Sequence, residues 1–165
     1  VISAEIPADL DFYRAAFKAL GAAPGLTHDH PLQGIFLDSA VTPGGARFVH
    51  ALNFDGIDKE VHFFDRGEAL CEGRPVMLRR RDGVMLPFGV DLGGAVVAWS
   101  TAEIIARDER GFSLRLTGEA DAIALRTSRT IAPTEAHTIT TRADGVLVTS
   151  RMRGAGEDVL RIDWA

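Results

Sequence analysis

The sequence predicts a mainly β protein, one or two antiparallel β-sandwich modules preceded by a single N-terminal α-helix. Beyond Pro31, turn dipeptides recur at nearly regular spacing, at Gly44-Gly45, Asp55-Gly56, Asp82-Gly83, Gly93-Gly94 and Asp144-Gly145. They bound short runs rich in Val, Leu, Ile and Phe, as strands of such modules require. The second half alternates with period two: Phe112, Leu114 and Leu116 oppose Ser113, Arg115 and Thr117, and Leu160, Ile162 and Trp164 repeat the pattern. Helical spacing occurs in one place, between Asp9 and Leu20.

In that helix Leu10, Tyr13, Phe17 and Leu20 share a stripe, Asp9 and Asp11 suit the positive N-terminal end, and Gly21 supplies the stop. Phe12 lies off the stripe, so the apolar surface is broader than one contact needs. Arg47 to Phe54 and Lys59 to Asp65 read as two strands of a hairpin whose turn is Asp55-Gly56-Ile57-Asp58, with Gly56 setting the register from a positive φ. A strand follows at Pro75 to Arg80, then Val84 to Pro87, which Pro87 should keep out of a central ladder. Asp91 to Gly94 is the expected linker, since Gly93-Gly94 can absorb unusual backbone angles, and a long strand from Ala95 to Ala106 should follow it. Three segments result: residues 1–26 as a helical connector, 27–93 as a first β-module, and 94–165 as a second module or a continuation of the same sandwich.

Composition narrows the function. With 165 residues and 46% of them hydrophobic, the chain can bury a real core. A net charge of −5 would repel phosphate backbones, so nucleic acid is not an expected partner, and Arg79-Arg80-Arg81 reads as a solvated strand end. No run approaches the ~18 apolar residues of a membrane span, so no membrane is expected either. Cys71 is the single cysteine, which excludes an intrachain disulfide and favours a cytoplasmic setting. Val1 stands where Met would begin an ordinary reading frame, as fits a segment of a longer polypeptide.

Candidate chemistry is sparse, and no residue is assigned a catalytic role. Asp55, Asp58, Asp65, Asp82, Asp108, Glu109 and Asp144 fall in turns or on polar strand faces, where solvated surface is expected. His28 and His30, flanking Asp29, form the metal candidate, because imidazoles at i and i+2 of an extended segment face one side; a third ligand is missing and an ordinary loop is favoured. His50 and His62 should meet across the hairpin as packing residues. Cys71, beside Leu70 and Glu72, should be inert, and no serine stands in a Gly-x-Ser-x-Gly turn. Trp99, amid Ala98, Ser100 and Thr101, is the candidate carbohydrate platform, since pyranose rings stack on exposed aromatic faces; packing in the core is favoured, because isolated aromatics in strands usually pack.

Phe48, His50, Leu52 and Asn53, followed by Asp55-Gly56, Gly73-Arg74-Pro75 and Met85-Leu86-Pro87, carry a resemblance. They resemble the β-domain that follows the catalytic barrel and its α/β domain in bacterial β-galactosidases of glycoside hydrolase family 35, with family 42 as second choice. The resemblance spans residues 1–105 and, loosely, the remainder. It implies a non-catalytic accessory segment of an enzyme that hydrolyses terminal β-galactosides, the catalytic glutamates lying in the barrel. It also implies no cofactor, and as partners the other domains of the parent glycosidase, with a homo-oligomer or a carbohydrate as further candidates. An independent carbohydrate-binding module and an adhesion-type interaction domain are the alternatives.

Overall fold

The structure, a computed structural model, describes residues 10–22, 25–32, 34–151 and 158–165. It is mainly β, with several antiparallel sheets and one short helix. Helix α1 (Leu10–Ala19) is followed by β1 (Leu26–His28), β2 (Ile35–Val41), β3 (Arg47–Asn53), β4 (Lys59–Val61), β5 (Phe63–Asp65) and β6 (Glu68–Ala69). After a 3-10 segment at Leu70–Gly73 come β7 (Val76–Leu78), β8 (Gly83–Asp91), β9 (Ala95–Ser100), β10 (Glu103–Arg107) and β11 (Gly111–Arg115). The last four are β12 (Ala122–Thr127), β13 (His137–Arg142), β14 (Gly145–Ser150) and β15 (Val159–Asp163).

Gly21 ends α1 as its position implied. At φ +76 it donates its N–H to Lys18 O at 3.1 Å, while Ala22 N–H reaches Phe17 O at 2.9 Å, the paired bonds that close a helix through a left-handed glycine.

Seven strands form the central antiparallel sheet in the order β13-β14-β12-β9-β8-β3-β2. Strand β8 is the joint. Its residues Gly83 to Phe88 pair with β3, whereas Phe88 to Asp91 pair with β9, so only Phe88 is bridged on both sides. This explains why Pro87 sits inside a central strand, contrary to the sequence expectation. The β9 ladder begins one residue later, so a missing donor on that side breaks no ladder bond. Gly93-Gly94, in the expected linker, is the tight turn between β8 and β9, with Leu92 N–H donating to Ala95 O at 2.8 Å. The expected long strand from Ala95 to Ala106 is broken after Ser100 into β9 and β10, which lie in different sheets.

The expected hairpin between β3 and β4 does not form. Strand β3 pairs with β2 and β8, and β4 pairs with β7. The connection instead lifts the chain out of the central sheet, held by Asn53. Its buried amide donates to Ile57 O at 2.7 Å, Arg79 O at 3.1 Å and Leu78 O at 3.3 Å, while its Oδ1 accepts Asp55 N–H at 3.1 Å. Gly56 has no positive φ and no neighbour within 4 Å of an added Cβ, so it sets nothing. Asp55 does more than turn the chain: it accepts from the fully buried Lys59 Nζ at 2.5 Å.

Two layers cover the sheet on opposite faces. On one face, Val49, Ala51, Val84 and Leu86 of β3 and β8 pack under Val61, Phe63, Val76 and Leu78 of β4, β5 and β7. This core continues through Phe88 to Trp99, Ala124 and Leu147, capped by Cys71. On the other face, the sheet β10-β11-β15 lays Phe112, Leu114, Leu160 and Ile162 onto Val97, Ile123, Leu125 and Val148. Each fully buried Leu, Ile or Phe here contributes about 1.5–3 kcal/mol by removing apolar surface from water. A register shift between Ala124 and Leu125 pairs Ala124 with Trp99 but Leu125 with Val97, so Val97 and Trp99 join different cores.

Candidate functional site

The register of β2, β3 and β8 aligns the outer side chains in rows: Phe36 beside Leu52 and Gly83, Asp38 beside His50 and Met85, Ala40 beside Phe48 and Pro87. Period two sends their neighbours Val49, Ala51, Val84 and Leu86 into the core on the opposite face. Strands β3 and β8 are thus apolar on both sides. The outer side is partly open: Phe36 is 51% exposed, Leu52 40% and Met85 41%, and Phe54 just beyond β3 is 66% exposed. Gly83 lets Leu52 lie flat, because a Cβ there would stand 2.3 Å from Leu52 Cδ2. The two titratable side chains of these rows are His50 and Asp38, and Asp38 Oδ1 accepts the Ser39 N–H at 2.7 Å.

The edge of this face is tied to the second covering sheet by Glu103 and Arg115. On the side of β8 that faces away from β3 and that β9 does not reach, Met85 N–H donates to Glu103 Oε1 at 2.6 Å and Arg115 Nη2 donates to Gly83 O at 2.7 Å. Arg115 also pairs with Glu103 and, through Nη1 at 2.9 Å, with Asp82. These carboxylates come first among the influences that raise its pKa, the Glu103 hydrogen bond leading. Neither Glu103 nor Arg115 is marked by the sequence, where both read as ordinary polar positions of alternating strands.

Trp99 is not an exposed platform. It is 8% exposed and packs with Cys71, Ala122, Ala124 and Leu147, and its Nε1–H donates to Glu72 Oε1 at 3.2 Å. Glu72 in turn takes a two-pronged hydrogen bond from Arg142, with Nη2 to Oε2 at 2.9 Å. This clasp holds a turn in which Cys71 (φ 50), Glu72 (φ 56) and Gly73 (φ 73) are all left-handed, a conformation costing on the order of 1–2 kcal/mol for each non-glycine residue. A cavity of 430 Å³ adjoins the clasp, lined among others by Phe88, Trp99 and Arg142. Burial, with Glu72 and Asp121 adding to it, pushes the Cys71 thiol up to about 12, which suits a structural thiol rather than a nucleophile.

His28 and His30 both line a second cavity, between α1 and the strands β1 and β2, while Asp29 is turned to other work. Its Oδ1 accepts the His62 N–H at 2.9 Å and its Oδ2 meets His62 Nδ1 at 2.7 Å. Burial opposes ionisation of Asp29, but the His62 hydrogen bonds outweigh it and lower its pKa. Among the described residues no three His, Cys, Asp or Glu side chains come together as a metal site. His62 faces Asp29, and His50 looks outward from β3 beside Met85, so the two do not meet across a hairpin as expected.

The acidic residues expected as solvated turns are largely engaged. Asp58 binds Arg79 and the Arg80 N–H, Asp65 pairs with Arg47, and Asp108 with Arg161 at 2.6 Å. Asp121, unremarked in the sequence, is a buried carboxylate that accepts from Thr101 Oγ1 (2.7 Å), Thr117 Oγ1 (2.9 Å), Thr117 N (2.7 Å) and Gly118 N (2.9 Å). Its partners serve the fold, joining the β9 end to the β12 start. Among the described residues no helix is long and apolar enough to cross a membrane. No family model matches this chain, and no curated protein matches it in sequence.

Proposed function

We propose that this chain is a non-catalytic accessory β-domain of a β-galactosidase-like glycoside hydrolase, docked to a neighbouring domain of that enzyme through the outer face of β2, β3 and β8. One observation carries the reading: Phe48, His50, Leu52 and Met85, which bear the family resemblance, share that face. A strand that is apolar on both sides belongs to a sheet covered on both sides. This chain's own layers cover the inner face of β3 and β8, so the outer pattern suits a partner domain. In this reading the β-layers form one sandwich-like module, hydrolysis of terminal β-galactosides belongs to a carboxylate pair elsewhere in a cytoplasmic parent, and residues 1–26 lead in from the preceding domain.

The test uses Leu52→Glu and Met85→Glu in the isolated chain and in the full-length polypeptide. The isolated chain should keep its melting temperature, and the full-length protein should lose stability and activity together. If both forms are indifferent to the charges, the docking face is wrong. If the isolated chain hydrolyses a nitrophenyl β-galactoside and loses that turnover with one of its own carboxylates, the accessory reading is wrong.

The breadth of the same apolar face favours a second reading, an adhesion-type interaction domain that self-associates. Sedimentation of the isolated chain separates the two, because a dimer dispersed by the same two substitutions supports the second.

A further inference from the structure

The cavity between α1 and the β1/β2 edge has a volume of 770 Å³, within the range of about 300–1,000 Å³ in which proteins hold small organic ligands. Its floor is hydrocarbon. Leu26, Ile35 and Leu37 are half-buried and continuous with the core beneath β3 and β8, and Phe17 closes the helix side. The ionisable groups among its described lining residues are Lys18, His28 and His30, with no carboxylate.

Local geometry keeps negative charge away. Asp29, the one acid of the His28-Asp29-His30 motif, is held outside by His62. His30 Nδ1 accepts the Leu32 N–H at 3.2 Å, which in the neutral ring leaves the hydrogen on Nε2 and makes that nitrogen a donor. The carbonyls of Phe17 and Lys18 at the end of α1 are already occupied by the N–H groups of Ala22 and Gly21. Two of the last carbonyls of the helix are thus satisfied within the chain, and the Lys18 ammonium offsets the negative pole of the helix end.

From this pairing of an apolar floor with the Lys18 ammonium and the His30 imidazole in the same lining, we infer that the cavity binds a monoanionic amphiphile, a carboxylate carrying a hydrocarbon tail. The tail lies on Leu26, Ile35 and Leu37, and the carboxylate meets Lys18 and His30. A metal ion is the wrong guest for the two histidines because the Lys18 ammonium, which lines the same cavity, would repel it. This site does not depend on the accessory-domain reading and stands or falls separately from it.

The experiment is calorimetric titration of the full chain with decanoate below its micellar concentration, with acetate, decanol and decylamine as probes of tail and charge. Decanoate should bind saturably at one site per chain. Acetate, which lacks the tail, and decylamine, which reverses the charge, should bind at least about tenfold more weakly, a difference of 1.4 kcal/mol or more. Lys18→Glu and, separately, Phe17→Ala should weaken decanoate by a similar factor; both positions are exposed on the helix, so the β-core that reports folding by circular dichroism should be unchanged. Decanol binding as tightly as decanoate, multiple sites per chain, or a Lys18→Glu variant with undiminished affinity would each overturn the inference.

Discussion

Arg115 Nη2 donates to the carbonyl oxygen of Gly83 at 2.7 Å, a bond from the second covering sheet to a stretch of β8 that has a strand on one side only. Together with the Glu103 carboxylate on Met85 N–H, it supplies by side chains what a ladder would supply by backbone. The bare edge of a half-paired strand is thereby closed within the chain.

Arg115→Ala should accordingly cost on the order of 2–3 kcal/mol, since it leaves Glu103 and Asp82 unpaired and Gly83 O without its donor. Arg115→Lys should recover only part, because one ammonium cannot span three acceptors fixed by a planar fork. Urea midpoints of the two variants and the unmodified chain measure this; equal midpoints for Arg and Lys would show that charge alone matters.

Asn53 offers a sharper contrast. Asn53→Ala strands three carbonyls in a buried site and should cost about 2–3 kcal/mol. Asn53→Asp should be worse, because it turns a donor into a negative acceptor facing the same three oxygens. A thermal melt that ranks Asp above Ala in stability would remove the amide from its structural role.

The Glu72 clasp makes stability depend on pH in the acid range. The Arg142 hydrogen bonds, opposed by partial burial and aided by Trp99, hold the Glu72 pKa below its ordinary value of 4.5. The folded-state pKa is depressed, so the unfolded state binds more protons between the two values and stability rises with pH there. This contribution is complete above pH 4.5 and drains away as pH falls below it through the folded value. Glu72→Gln should flatten that part of the melting temperature profile while leaving the neutral branch parallel.

Two glycines should behave in opposite ways. At Gly111 a Cβ would stand 2.0 Å from Ile162 O across the β11–β15 pair, so Gly111→Ala must push two strands apart and should cost more than about 3 kcal/mol. Gly56→Ala meets open space without a positive φ and should stay within about 0.5 kcal/mol. Comparable losses at both positions would contradict the strand geometry.

The sequence was most legible where structure is local. The helix, its glycine stop and the mainly β character follow from periodicity and turn residues within a few positions of one another. What it hid was pairing at a distance. The Asp55-Gly56 dipeptide has hairpin chemistry, yet β3 pairs with β8 rather than β4, and Asn53 at its end reaches Leu78 and Arg79, distant in sequence. Pro87 fails as a strand breaker because the ladder on one side of β8 starts after it. Trp99 looks exposed amid Ala98, Ser100 and Thr101, but the shifted register opposite Ala124 and Leu125 turns it under Cys71, and only the partner strand contains that information. The outer apolar face was legible as residues and invisible as a surface until the three strands were set side by side.

The divided ladder of β8 has a consequence for how the chain can be taken apart. Among the described residues, the ladder that joins the two halves of the large sheet is confined to Phe88–Asp91, with side-chain bonds from Arg115 and Glu103 to Asp82, Gly83 and Met85 beside it, and each half has its own principal buried cluster. A cut in the Gly93-Gly94 turn would give two fragments, each with a nearly whole interior and one strand edge newly bare. Such pieces are suited to complementation: mixed in solution, residues 1–93 and 94–165 should recombine through the β8 and β9 edges and the Cys71 contact on Trp99, with fluorescence of that indole reporting the union.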